Sequence, residues 1–560
     1  MHLLNSARTR LTCVPVVHEV AAGISAEYFN QVSSNQKAFA LVTAGPGLTN
    51  IMTAMAGAWL EHRELLVVGG QVKSTDLRSE GLRQRGIQEI DGIAMAQSVC
   101  KIALQIRSPQ NKDAVVDAVR CGFTGRPGPV FIEFCLDAQG GVPVSIEGCT
   151  SQAQVSSERD PAERKDYEEA CLLINSAKRP AILIGAGVSR SAGRHLATKL
   201  AHTNIPVFTT WHAADRISTS FPNYFGRPET WGQRSANLLI NQADVILVVG
   251  ARLGLQETGF NWQLFCSTAK IIHVDIDKHE LEKGHPNTQI KIQGDADTLL
   301  RYFVDRIQST NQQWLEYCAE VRNLIPLNDP SNTTADGFVS PYVFYEDLSE
   351  FADESDIWVP ASSGGANSVA IQALSIAEGQ ICICNNGLAS MGYGLPGAIG
   401  AAFAEPNRRV MLVEGDGSIS QNIQELATIS VSSLNIKIFI FDNEGYGSIR
   451  TTQRNYFGGA YLGCDTATGL GFPDWQQLAS AYRIDYLDFS HQGFSDQKLV
   501  NALARRGPLI CVVPIDPQQT YWPKISSRIG SNGRMESDPL YEMTPRLSPE
   551  ERAITGRFIQ

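Results

Sequence analysis

The sequence predicts an α/β chain of three doubly wound parallel-sheet domains. Short apolar runs rich in β-branched residues alternate with helical stretches along almost the whole chain, the rhythm of βαβ units with helices on both sheet faces. Two polar stretches, 149–164 and 323–337, cut the chain into segments of similar size. The length of 560 residues suits roughly three or four ordinary domains.

In order, the first segment (1–150) carries strand-like runs at 38–42, 65–68 and 129–134. The second (165–322) carries 181–184, 245–249 and 271–274. The third (338–530) carries 409–413, 436–441 and 509–513. A tail, 531–560, closes the chain. Everything after Gln518 is rich in Ser, Pro, Arg and Glu, and is expected to wrap the surface or a neighbour.

Composition narrows the function. The chain is 43% apolar and 19% charged, so it can bury large cores. A net charge of −11 without a basic stripe argues against nucleic acid as the main partner, but not against phosphorylated ligands. No apolar run approaches the roughly 18 residues of a membrane span, and no secretory h-region opens the chain. The 12 cysteines form no CxxC pair; Cys382 and Cys384 fall in an apolar, strand-like stretch. Reduced, mostly buried thiols and a cytoplasmic location are expected, without structural zinc.

The most informative motif is Gly415-Asp416-Gly417, which follows one apolar run, with Asn443 closing the next. Strand, tight turn, helix, strand and turn would bring two oxygen-bearing side chains to the ends of neighbouring strands. A hard cation such as Mg2+ takes oxygen ligands and fills its shell with carbonyls, water and phosphates. Glycines around Asp416 would let the backbone approach a diphosphate, and a helix from Gln421 would aim its N-terminus at the anion. Alone, Gly-Asp-Gly is an ordinary turn. In the second segment Gly185 and Gly187 begin a G-x-G-x-x-G pattern whose third place holds Arg190. That is a weak dinucleotide signal. Arg252, Asp275 and Asp295 follow further strand-like runs, where nucleotide sites collect.

The co-occurrence of several motifs in order is far more specific. His18-Glu19, the stretch 43–50 (TAGPGLTN), Gly70-Gln71-Val72, Gln88-Glu89, 125–130 (GRPGPV), 387–396 (GLASMGYGLP), Gly415-Asp416-Gly417 and 443–447 (NEGYG) resemble the thiamine-diphosphate-dependent, flavin-containing acetolactate synthase large subunits over nearly the whole chain. The resemblance implies a thiamine-diphosphate-binding fold: an N-terminal aminopyrimidine-binding domain, a central Rossmann-like flavin domain and a C-terminal diphosphate-binding domain. It also implies a first strand, first helix and glycine-rich turn ahead of the point where this chain starts, as if the start were truncated.

By the same resemblance, Glu19 hydrogen-bonds N1′ of the aminopyrimidine and activates the coenzyme, a role suited to a short charge-assisted bond. A glutamate at a helix start can also merely complement the dipole. Asp416, Asn443 and the Gly445 carbonyl would hold Mg2+. Gly417 and Ser418, with Gly415, Tyr446 and Gly447, would meet the diphosphate; Pro46 and Asn50 would line the coenzyme site; and Met391 would prop the coenzyme into a bent shape. Without its motif, Met391 would read as ordinary core packing. Arg126, Gly185, Gly187, Arg252, Asp275 and Asp295 would hold FAD in a non-redox role. Glu19 would face the metal site of another subunit, implying a homodimer or homotetramer.

The implied activity is decarboxylation of a 2-keto acid, expected to be pyruvate, and ligation of the two-carbon unit to a second carbonyl, as in branched-chain amino acid biosynthesis. One departure concerns the acceptor. Where family members selecting a larger keto acid carry a tryptophan, this chain reads 447–453 (GSIRTTQ), with Thr452 or a neighbour in its place. That change, with 226–232, 256–262 and 521–528, resembles flavoenzymes that use a nucleotide-linked keto-sugar acceptor; surface drift explains the latter segments equally well. Alternatives are flavin-dependent oxidative decarboxylation of the pyruvate oxidase type, or an inactive cofactor-binding relative.

Overall fold

The computed structural model describes residues 8–110, 112–140, 162–308, 311–529 and 533–559. The opening residues 1–4 and most of the 149–164 stretch lie outside them.

Three parallel sheets organise the chain, as expected. The first comprises β1 (Phe39–Val42), β2 (Leu66–Gln71), β3 (Ile102–Ile106) and β4 (Val130–Cys135), in the order β1-β2-β4-β3. The second comprises β5 (Pro180–Ile184), β6 (Val207–Thr209), β7 (Val245–Val249), β8 (Lys270–Asp275) and β9 (Ile290–Gln293), in the order β6-β5-β7-β8-β9. The third contains β10 (Ile357–Pro360), β11 (Val410–Gly415), β12 (Ile436–Asp442), β13 (Asp485–Asp488) and β14 (Leu509–Pro514), running β10-β11-β12-β14-β13, with the two-residue strand Ile381–Cys382 at the edge beside β10. The central strands β5, β7, β11 and β12 are almost wholly buried. Their continuous Val/Ile/Leu/Phe runs are what a parallel sheet covered on both faces demands.

Contacts divide the described residues into two units. One gathers 1–155, 355–363 and 383–513; the other gathers 156–354, 364–382 and 514–560. The first and third sheets therefore share a unit.

In that unit the helix Glu19–Val32 packs on the helix Gly394–Ala404, and small residues make the approach possible. A Cβ at Gly400 would stand 2.1 Å from the Ser25 carbonyl oxygen, and one at Gly397 would stand 2.7 Å from the Tyr28 ring. Ser25 Oγ donates to the Pro396 carbonyl at 2.8 Å. Beside this seam lies a buried polar cluster. Arg63 bonds Glu27 at 2.8 Å and donates to the Cys384 carbonyl at 2.6 Å, and the Tyr393 hydroxyl donates to Glu27.

The second unit has an apolar core on each face of its sheet. The C-terminal segment belongs here: Leu540 is buried in one of these cores, with Ile525, Tyr541 and Ile559 packed against it. Ser527–Ile529 pairs antiparallel with Met535–Ser537. The strand expected through Cys382 and Cys384 shrinks to Ile381–Cys382. Among the described residues no helix is long and apolar enough to cross a membrane.

Candidate active site

Strand register places the acidic motif. Val410 pairs with Ile436 and the ladder runs on to Gly415 opposite Phe441. The next residues, Asp416 and Asp442, therefore leave the carboxyl edge side by side, where open α/β sheets bind ligands. Asp416 is 2% exposed. One carboxylate oxygen accepts from the Gly417 amide at 2.6 Å; the other accepts from the amides of Asn443 (3.2 Å) and Gly445 (2.8 Å). Burial, then the nearby Asp442 carboxylate, pushes the Asp416 carboxyl up to about 8. A divalent cation beside these two carboxylates would favour the ionised form. The Asn443 side-chain oxygen is buried without a hydrogen-bond partner, an arrangement costly in a finished interior. These oxygens, with the Gly445 carbonyl, fit a hard cation. No group of three or more His, Cys, Asp or Glu suited to a metal occurs among the described residues, so an oxygen set with one carboxylate and one amide would have to serve.

Two glycines make room. A Cβ on Gly417 would lie 2.3 Å from the Tyr446 ring, and one on Gly447 would lie 2.5 Å from the Asn443 amide nitrogen. Gly447 opens the helix Gly447–Tyr456. The helix expected from Gln421 starts two residues later, as the 3-10 turn Ile423–Glu425 running into the helix Leu426–Val431. A short helix begins at Asp416 itself (Asp416–Ile419), and Gln421 sits in the turn before the 3-10 segment Ile423–Glu425. The bend is held by Asn422, whose side chain reaches back to the Gly392 carbonyl at 2.6 Å.

That contact ties Met391 to the site. Met391 is half-buried, and Gly392 beside it adopts the left-handed region at φ +77°. The Gly392 amide donates to Ser418 Oγ at 3.0 Å, and Ser418 donates to the fully buried Glu414 at 2.7 Å. The Ser418 hydroxyl proton is therefore already engaged by Glu414, whose carboxyl burial pushes up to about 7.

Glu19 is the first residue of its helix. Asn50 donates to its carboxylate at 3.0 Å and lowers its pKa. Asn50 ends the short helix that Pro46 begins. The segment just ahead of Glu19 is pinned by Glu425, which accepts from the amides of Val17 (3.1 Å) and His18 (2.9 Å). The structure thus brings together Pro46, Asn50 and Glu19 in one group, and Met391, Gly415, Asp416, Gly417, Ser418, Asn443, Gly445, Tyr446 and Gly447 in another. Among the described residues Glu19 hydrogen-bonds Asn50 and no residue of the Asp416–Gly445 loop.

The expected flavin residues are divided. Arg126, in the first unit, faces His62, with Nε at 3.2 Å from Nδ1. Gly185, Gly187, Arg252, Asp275 and Asp295 lie at strand ends of the second unit. Gly185 and Gly187 are required by packing: Cβ atoms there would lie 2.1 Å and 2.8 Å from Gly250 backbone atoms. Asp295 caps the helix Ala296–Val304 by accepting from Thr298 at 2.9 Å. Asp275 accepts from the Asp277 amide at 2.8 Å.

Asp442 is legible in the sequence as the neighbour of Asn443, but Glu425 and Arg450 are not legible as site residues. Glu425 and Arg450 act on backbone groups, and no spacing announces that.

Comparison with known proteins completes the picture. Three family models match: the N-terminal TPP binding domain of thiamine pyrophosphate enzymes over residues 1–95, the central domain over 167–303, and the C-terminal TPP binding domain over 362–513. The chain belongs to the thiamine pyrophosphate enzymes. Within that family it resembles acetolactate synthase large subunits. It is 30% identical to the isozyme 1 large subunit of Escherichia coli K12, covering 93% of this chain and 90% of that one. It is 30% identical to a probable large subunit of Methanocaldococcus jannaschii (90% and 85%), and 28% identical to the mitochondrial catalytic subunit of Saccharomyces cerevisiae (94% and 78%). The chain is accordingly a thiamine-diphosphate-dependent enzyme of the carboligase kind.

Proposed function

We propose that the protein decarboxylates a 2-keto acid, pyruvate in the first instance, and joins the two-carbon unit to a second carbonyl compound. The observation that carries this is the Asp416–Asn443–Gly445 loop, where a buried carboxylate stands near a second carboxylate and a buried amide oxygen has no donor. Asp416 and Asn443 through their side chains, and Gly445 through its carbonyl, would hold Mg2+. Gly417 and the neighbouring Tyr446 would shape the diphosphate pocket. When bound, thiamine diphosphate supplies the carbanion-stabilising centre that both decarboxylation and carbon–carbon bond formation need.

The chain's residues bind, orient and move a proton. Glu19 would share a proton with N1′ of the coenzyme ring, and Asn50 holds the carboxylate that would do so. Met391, whose neighbour Gly392 is held by Ser418 and Asn422, would support the coenzyme. By the family resemblance, the working partner of Glu19 is the metal loop of a second copy, and the active form is a homodimer or homotetramer. FAD would lie along the carboxyl ends of β5, β7, β8 and β9, supported by Arg252, Asp275 and the open-ended sheet; the flavin spectrum of the purified protein tests this. The free cysteines of the described residues support a reducing, cytoplasmic setting.

A larger acceptor such as a keto-sugar is favoured by one observation. Where relatives selecting bulky keto acids carry a tryptophan, Thr452 or a neighbour stands here, and Thr452 is exposed with its hydroxyl turned back to the Ser448 carbonyl at 3.0 Å. Labelled pyruvate, alone and with candidate aldehydes or keto-sugars, tests the whole reading. Label in a ligated product without consumption of an electron acceptor supports it; label released only as acetate or acetyl phosphate would replace it with an oxidase.

A further inference from the structure

Arg450 stands on the helix that follows the metal loop, and it is 3% exposed. One of its terminal nitrogens donates to the Asn443 carbonyl at 3.1 Å, the other to the Glu444 carbonyl at 3.1 Å, and Nε faces Asp465 at 3.5 Å. The loop it grips is conformationally unusual. Glu444 sits in the left-handed region at φ +59°, and Gly445 has φ +151°. A non-glycine residue in such a conformation costs about 1 kcal/mol or more and persists only where its surroundings fix it. Here the fixing is two-sided. Asp416 takes the loop's amides and Arg450 takes its carbonyls. Gly445 is wedged between, with space for a Cβ denied by the Cys464 carbonyl at 2.0 Å and by Arg450 itself at 2.9 Å.

We infer that Arg450 is a positioning residue for the cation: by holding the Asn443 and Glu444 carbonyls it orients the Asn443 side chain and the Gly445 carbonyl toward one point. The inference rests on the reading of Asp416, Asn443 and Gly445 as the cation's ligands. A guanidinium is suited to this work, because its rigid planar fork meets two carbonyls and a carboxylate in one fixed geometry, which the freely rotating ammonium of lysine does not reproduce. Residues that orient metal ligands typically affect metal affinity by about 10- to 100-fold when replaced.

The test is the Mg2+ concentration that half-saturates thiamine diphosphate binding, read by tryptophan fluorescence on the full chain without substrate. Arg450→Lys is expected to raise that concentration about 10- to 100-fold, with binding restored at high Mg2+ and the apoprotein melting near the wild-type temperature. A general structural defect would instead lower binding at every Mg2+ concentration. A folded Arg450→Lys variant with wild-type Mg2+ dependence overturns the inference. Should that variant fail to fold, Asp465→Asn decides. It leaves the guanidinium in place but removes its counter-charge, so a smaller shift in the same direction supports the role and no shift overturns it. Asp416→Ala separates the two claims. If it loses Mg2+-dependent binding while Arg450→Lys does not, the metal site stands and the role of Arg450 falls; if Asp416→Ala binds like wild type, the metal site itself is wrong.

Discussion

Replacing Gly417 with alanine tests how tightly the diphosphate pocket is built. The added Cβ would lie 2.3 Å from two atoms of the Tyr446 ring, where ordinary contact begins at 3.4 Å. The backbone at Gly417 is not left-handed, so the ring alone decides the cost. Tyr446 has little freedom to retreat: its amide donates to the Cys464 carbonyl at 2.8 Å, and its own carbonyl accepts from the Arg450 amide at 2.9 Å. Overpacking of this kind costs about 1–3 kcal/mol. If the cost falls on the coenzyme-bound conformation, affinity drops by about 5- to 140-fold at 1.4 kcal/mol per decade. Thermal unfolding of the apoprotein and a fluorescence titration with thiamine diphosphate at saturating Mg2+ report how the cost divides. A Gly417→Ala protein matching wild type in both would refute the packing argument and the assignment of this face to the diphosphate.

Further predictions concern residues away from the metal loop. Glu19→Gln should fold normally yet lose most coenzyme C2 proton exchange by NMR; unchanged exchange would remove Glu19 from the mechanism. Arg63→Met strands the buried Glu27 carboxylate and should cost about 3–5 kcal/mol by chemical denaturation at neutral pH, toward the low end if Glu27, which burial raises to about 7, takes up a proton. Burial also pushes the Glu133 carboxyl from its ordinary 4.5 up to about 7. Its folded form thus binds more protons than its unfolded form across that window, and stability falls as pH rises through it, by at most about 3 kcal/mol. Glu133→Gln should flatten this dependence in urea midpoints measured across the window; an unchanged slope would assign the pH dependence to other groups.

Much of this architecture was legible in the chain. The nine apolar runs all became strands: β5, β7, β11 and β12 are buried on both faces, whereas β1 and β2 bury alternate residues. Five of the strands β1 to β14 lie outside those runs: β6 has three residues and β10 only four, β3 is partly exposed along most of its length, β9 alternates Ile-Lys-Ile-Gln with a half-exposed pattern, and β13 is Asp-Tyr-Leu-Asp, exposed at both ends. The Asp416 and Asn443 pairing could be anticipated because parallel register delivers adjacent strand ends to one edge. The helix after Asp416 could not be placed correctly, since a tertiary contact, Asn422 to the Gly392 carbonyl, sets its end. The tail's packing on the central core and the grip of Arg450 on backbone carbonyls depend on residues far apart in sequence or on main-chain atoms, and neither leaves a pattern in composition or period.

A crystal structure of the protein with Mg2+ and thiamine diphosphate tests the central claim most directly. The account predicts one ion bound by an Asp416 carboxylate oxygen, the Asn443 side-chain oxygen and the Gly445 carbonyl, with the diphosphate completing its shell. An ion held elsewhere, or a diphosphate bound with these three oxygens turned away from it, would contradict the account.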